Sequence, residues 1–158
     1  MRYSIHEVKK KAEIAIGMLF KNDSFLLEND VNERSISHKL AEYLQQQFPD
    51  YNVDCEYNKH GKYTKELEGI RECDEERKTD RILPDIIIHK RGTDDFNLVV
   101  LELKSKEGAT SCDEKKLKLM TKKDGKFKYD CGLLILFRNN LIEQYVNGEK
   151  IRSFKIEK

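Results

Sequence analysis

An α/β sandwich, with helices covering both faces of a central mixed β-sheet and a β-hairpin at the C-terminal end, is the fold class this sequence predicts. Three observations carry it. The periodicities run helix, helix, strand, strand, strand, helix, strand, an order that layers helices onto a sheet. The segment YDCGLLILF at 129–137 is apolar almost throughout, as a strand covered on both faces must be. The segment RILPDIIIHKRGTDDFNLVVLELK at 81–104 reads as strand, turn, strand. With 158 residues and no internal repeat, low-complexity tract or interdomain linker, the chain is expected to form one domain, 1–158, around one core.

The elements follow in order. Residues 4–20 open with Ser4-x-x-Glu7, a capping-box pattern, and carry Ile5, Val8, Ala12, Ala15 and Leu19 at helical spacing. The Lys9-Lys10-Lys11 run belongs to the wet face of that helix. Residues 21–32 are polar and turn-rich apart from Phe25, Leu26 and Leu27, so the first helix is expected to stop before them. A second helix is predicted over 33–48, with Ile36, Leu40 and Leu44 on its inner stripe and Glu33 on the same stripe. Residues 52–57 alternate, with Val53, Cys55 and Tyr57 on one side, as a first strand would. A long polar insert from Asn58 to Asp80 follows, in which Lys62 and Tyr63 are within reach of a substrate if the insert crosses the mouth of a site.

Beyond the strand pair at 82–89 and 97–103, Ser111-x-x-Glu114 starts a third helix reaching about 122, with Leu117 and Met120 inward. After the 129–137 strand, Val146-Asn147-Gly148-Glu149 lies between alternating segments and predicts a hairpin over 142–156.

Composition restricts the function classes. Apolar residues make up 38% and charged residues 37%, so a densely charged surface encloses a modest core, while a net charge of +1 alone argues neither for nor against nucleic acid. Its distribution says more. From 104 to 128 nine lysines face four acids, whereas 66–80 holds seven acids against three bases, so one side should be basic and attract a phosphate backbone. The four cysteines are widely spaced, with no C-x-x-C pair, and the four histidines complete no zinc pattern. The longest apolar run, 14–20, is too short to span a bilayer, and no leader pattern opens the sequence. The expectation is a cytoplasmic protein with reduced thiols and no membrane partner.

The chemistry concentrates in the strand pair. Successive side chains of a strand alternate between faces, so Leu83, Asp85, Ile87 and His89 share one face, and Leu98, Val100, Glu102 and Lys104 share a face of the second strand. A carboxylate inside an apolar strand costs several kcal/mol unless something pairs with it. If Asp85 and Glu102 are neighbours, their oxygens suit a hard cation, with Lys104 placed to orient water or steady a phosphate.

Pro84-Asp85, sixteen residues, then Glu102-Leu103-Lys104 resembles the signature of the PD-(D/E)XK nuclease superfamily, whose fold is the restriction-endonuclease-like sandwich. Glu-x-Lys also occurs at 7–9, 76–78 and 114–116, but only the copy at Glu102 ends an apolar strand and follows a Pro-Asp strand. The resemblance implies a metal-dependent nuclease acting on nucleic acid, DNA first. Asp85, Glu102 and the carbonyl of Leu103 would hold Mg²⁺, which Mn²⁺ can replace, and Lys104 would assist the attacking water. Glu33 matches the position of an additional acid in many members, where it would recruit a second ion. Lys116 matches the basic side chain presented to the scissile region, and Lys115, with Lys118, would contact the backbone.

Two rival readings stand beside this one. One takes Asp85 or Glu102 as one half of an ion pair with Lys104 on a half-exposed sheet, and Glu33 as part of a variant capping box begun by Asp30. A non-catalytic nucleic-acid-binding or assembly module could also keep the same fold. DNA against RNA, exonuclease against endonuclease, and action alone against action as a homodimer or in a larger complex are left open by the residues.

Overall fold

Ser4 caps the first helix as its spacing to Glu7 predicts: the Glu7 N–H donates to Ser4 Oγ at 3.2 Å and the Ser4 N–H to Glu7 Oε2 at 2.7 Å. The computed structural model to which this helix belongs describes residues 2–29, 31–60, 63–64, 66, 82–106, 108 and 111–157. Helix α1 spans Ile5–Glu28, with a kink at Asp23 (φ −131°, ψ 31°). The expected stop near 20 is therefore corrected. Leu26 and Leu27 pack against the core, and the Tyr43 hydroxyl donates to the Asp23 carboxylate, so tertiary contacts carry the helix through a polar stretch.

Helix α2, Glu33–Gln47, is capped by Asn32, whose Oδ1 accepts from the Ser35 N–H at 3.0 Å. Asn32, rather than the Asp30 considered from sequence, is thus the cap; Asp30 lies outside the described residues. Ile36, Leu40 and Leu44 are buried, as their stripe predicts.

Strands β1 (Asn52–Cys55), β4 (Ile86–His89), β5 (Val99–Lys104), β6 (Cys131–Leu136), β7 (Leu141–Val146) and β8 (Glu149–Lys155) form one six-stranded sheet in the order β1-β4-β5-β6-β7-β8. Between β1 and β4 in sequence, β2 (Lys59–His60) and β3 (Tyr63–Thr64) pair separately. Lys62 and the side chain of Tyr63 lie outside the described residues. Among the sheet's pairs β5 and β6 are parallel and the others antiparallel, so the sheet is mixed. A parallel pair needs a crossover, and helix α3, Ser111–Thr121, supplies it.

The predicted alternation sorts the side chains into two cores. Ile86, Ile88, Val99, Leu101, Leu103, Leu133 and Ile135 pack with α1 and α2. Ile87, Val100, Leu134 and Leu136 pack with Leu117 and Met120 of α3. Both faces are covered, so the molecule is the α/β sandwich that the element order predicts, consistent with the restriction-endonuclease-like form that the resemblance implies.

Several bounds differ from the sequence reading. The strand expected at 82–89 begins at Ile86, because Pro84 lacks a ladder donor, and Leu83, 48% exposed, does not join the face of Asp85, Ile87 and His89. The run at 129–137 becomes β6 followed by a 3₁₀ turn, Phe137–Asn139. The hairpin forms as expected, with Asn147 (φ 49°) and Gly148 (φ 82°) both in the left-handed region that a two-residue turn of this twist requires.

Cys55 and Cys131 are free, but Cys112 is disulfide-bonded, so the expectation of wholly reduced thiols fails there. Among the described residues no helix is long and apolar enough to cross a membrane.

Candidate active site

The antiparallel register of β4 and β5 pairs Ile88 with Val99, Ile87 with Val100 and Ile86 with Leu101. Continued past the last rung, the same register sets Asp85 opposite Glu102 and Pro84 opposite Leu103. The two acids therefore emerge on the α3 face at the end of the strand pair. Their carboxyl groups feel each other's charge, and the Leu103 N–H donates to Asp85 Oδ2 at 2.8 Å. That bond takes the Leu103 donor that a longer β4 would have used.

Helix α3 brings two further charged residues over the pair. Lys116 is buried, with Nζ 2.7 Å from Glu102 Oε1. Glu102 Oε1 is buried, and its contact with that ammonium is an ion pair; among the described residues it has no other partner. Asp113, one turn earlier and also buried, sits 3.7 Å from Lys104 Nζ. Asp113, Lys116, Leu117 and Met120 form one inward stripe of α3, two of its members charged.

The electrostatics follow from this crowding. Burial pushes the Asp85 carboxyl above its ordinary range, and the Leu103 N–H and the Lys116 charge only partly offset it. Burial likewise raises Glu102, to about 7, against the opposing pull of Lys116 and with the help of the Asp85 charge. Burial pulls the Lys104 ammonium down, but Asp113, Glu33, Glu102 and Asp85 outweigh it and leave it raised. Lys104 is accordingly charged at neutral pH.

Glu33 stands in the first turn of α2, where its Oε1 accepts from the Ser105 N–H at 3.1 Å and from Ser105 Oγ at 3.4 Å. It shares a cavity of about 240 Å³ with Asp85, Glu56 and Cys55, and its charge helps to raise Asp85. Among the described residues no group of three or more His, Cys, Asp or Glu side chains is gathered to hold a metal ion, so Glu33, Asp85 and Glu102 do not make one three-carboxylate cluster.

Of the residues singled out from sequence, Asp85, Glu102, Leu103 and Lys104 come together, Glu33 lies beside them, and Lys116 turns inward onto Glu102. Lys115 sits one position round α3, on a groove of about 360 Å³ shared with Glu114, Lys118 and Lys122. Asp113 was missed. Its spacing of three to Lys116 and four to Leu117 placed it on the inner stripe and could have found it.

No protein-family model and no curated protein matches the sequence. One solved structure, described as a "cryoEM structure DrdV-DNA complex", is similar to this chain at 14% sequence identity and a TM-score of 0.47, over 97% of this chain and 12% of that one. The chain thus corresponds to a small part of that structure, and a likeness of this size assigns no role to any residue here.

Proposed function

We propose that this chain hydrolyses phosphodiester bonds in nucleic acid, DNA first, with a divalent cation held by Asp85 and Glu102. The observation that carries the reading is the pair itself: two buried-side acids facing each other across neighbouring strands, one with a buried oxygen that only the Lys116 ammonium meets among the described residues. A protein gains nothing in stability from such an arrangement, and charged-form costs of this kind concentrate where chemistry needs them.

The donor set suits Mg²⁺, or Mn²⁺ in its place, because it consists of oxygens. Asp85 and Glu102 supply carboxylates, and the Leu103 carbonyl is the third candidate, since Pro84 opposite it has no N–H to offer. When bound, such a cation supplies Lewis-acid stabilisation and lowers the pKa of a coordinated water.

The chain's own residues do the rest. The Leu103 N–H fixes one Asp85 oxygen and thereby the direction of the other. Lys104, kept charged by the acids around it, donates to water or to a phosphate oxygen and steadies charge developing on phosphorus. Asp113 anchors Lys104 from α3, and Lys116 balances the Glu102 charge. Glu33 holds Ser105 and is the candidate for drawing a second cation to the cavity it shares with Asp85. Lys115 meets the backbone.

A second reading, a non-catalytic nucleic-acid-binding or assembly module on the same fold, is favoured by the Lys116–Glu102 contact, which already balances one acid. Nicking of supercoiled plasmid and of single-stranded DNA separates the two. Cleavage that needs Mg²⁺ or Mn²⁺, and that Lys104→Ala loses while DNA binding persists, is the expected result; binding without cleavage under either metal selects the second reading.

A further inference from the structure

A cavity of about 860 Å³ lies outside the cluster just described, where the parallel strands β5 and β6 end. Ser105 and Lys106 border it directly after β5, Phe137 and Arg138 directly after β6, and Phe20, Lys21 and Glu28 come from α1. The crevice beyond the carboxyl ends of parallel strands is a recurrent place for ligands in α/β folds, and the volume is within the roughly 300–1,000 Å³ of small-ligand sites.

Its wall has the two kinds of group that a nucleotide needs. Among the described residues that line it, Lys21, Lys106 and Arg138 put three cations around it against one acid, Glu28. Arg138 is also held at the cavity, its Nη1 donating to the Lys106 carbonyl at 3.3 Å, and its planar fork keeps further donors for a phosphate. Phe20 and Phe137 meet edge to face, with ring centroids 6.1 Å apart, and give the same cavity an aromatic floor. Cations beside aromatic rings are the combination by which single-stranded nucleic acid is held. A solvated lysine face would have neither the concavity nor the rings.

Position ties the cavity to the candidate site. Lys106 is two residues beyond Lys104, at most about 7 Å along an extended chain. Ser105 between them faces both ways: it lines the cavity, and its N–H and Oγ donate to Glu33. A strand whose phosphate reached Lys104 would present its neighbouring nucleotide here.

We propose that this cavity receives an unpaired nucleotide of the strand lying in the candidate site, its phosphate against Lys21, Lys106 and Arg138 and its base against Phe20 and Phe137. The inference rests on the nucleic-acid reading above and narrows it to substrates with an unpaired segment, such as a single-stranded end. A base stacked and paired inside a duplex cannot enter a concave pocket without leaving its stack, which sets duplex ends with an overhang apart from blunt ones.

Fluorescence anisotropy without divalent metal tests it, comparing a duplex carrying a three-nucleotide overhang with a blunt duplex of equal length. Wild-type protein should favour the overhang by roughly tenfold or more, as one base stack and its phosphate contact imply. Lys21→Ala combined with Arg138→Ala changes two exposed side chains and should bring that ratio close to one. A 2-aminopurine in the overhang should change fluorescence on binding to wild type and less so with the double variant. Equal affinity for both duplexes, or a ratio the double variant does not alter, overturns the proposal. Overhang preference without metal-dependent cutting keeps this inference and removes the hydrolytic reading. Cutting with equal affinities removes the inference alone, and failure to bind either duplex removes both.

Discussion

β4 has an acid-bearing cluster at each end, both on the α3 face with Ile87 between them, and the two are completed in opposite ways. At the His89 end, Asp54 of β1 accepts from Arg91 Nε at 2.9 Å, from a second Arg91 nitrogen, and lies 2.8 Å from His89 Nε2, over which Tyr57 packs edge-on at 4.6 Å. Burial pushes the Asp54 carboxyl up, but these bonds outweigh it and leave it below its ordinary range. At the other end burial wins, and Asp85 and Glu102 are both raised. The protein finishes the first cluster with the Arg91 guanidinium and the His89 ring. In the second, Lys116 at 2.7 Å from Glu102 Oε1 does not outweigh burial, and that is where the proposed cation would act.

Substitutions at the two ends should therefore fail differently. Lys104→Ala is expected to reduce metal-dependent nicking by roughly 10²–10³-fold, the scale of losing one preorganised charge at a reacting centre, with little change in thermal midpoint. Asp54→Asn should do the reverse. It leaves His89 and Arg91 facing a neutral group and should cost about 1–3 kcal/mol, held down because Arg91 is largely exposed, seen as a lower midpoint with nicking per folded molecule retained. Loss of nicking in Asp54→Asn at unchanged stability would erase the distinction between the ends.

The pH response sharpens the same contrast. Glu102 is raised to about 7 from an ordinary value of 4.5, so its contribution to stability is fully present below that ordinary value and is lost as pH rises through about 7. Asp54 is lowered, so its contribution is present above its ordinary 3.8 and is lost as pH falls through its folded value. A cation must also displace the Glu102 proton. The rise in thermal midpoint produced by Mg²⁺ or Mn²⁺ should thus grow from about pH 5.5 to about pH 8, and Asp54→Asn should keep that growth while Glu102→Gln loses it. A metal-induced shift that is flat with pH would contradict the assignment of Glu102.

The smallest effect is expected outside both clusters. Lys115→Ala, on the outer groove of α3, should weaken DNA binding by a few-fold and reduce the slope of log affinity against log salt by about one, measured by anisotropy at several ionic strengths.

The strand pair was legible because period-two alternation is written directly into 86–89 and 99–104, and because two acids in apolar strands are conspicuous. The direction of Lys116 was not. The resemblance presents Lys116 to the scissile region, but its pairing with Glu102 depends on the acid that β5 sets beneath it. Asp113 was readable in its spacing but not in its partner, since nothing along the chain links it to Lys104 except α3 lying across β5. The length of α1 escaped for the same reason: Asp23 and its neighbours look like a loop until Tyr43 of α2 is placed beside them.

By itself the sequence determined the main run of helices and strands, where the Asn147-Gly148 turn falls, and that Glu102 and Lys104 share one face, because each of these depends on spacing between near neighbours in one chain, whereas Asp85 joins them only through the register of β4 on β5. Tertiary structure alone decided which cations meet which acids, and it built the cavity of Lys21, Lys106 and Arg138 from three separate segments. Periodicity says that a side chain turns inward. What it meets there depends on the packing of an element tens of residues away, whose contact energies no local pattern contains.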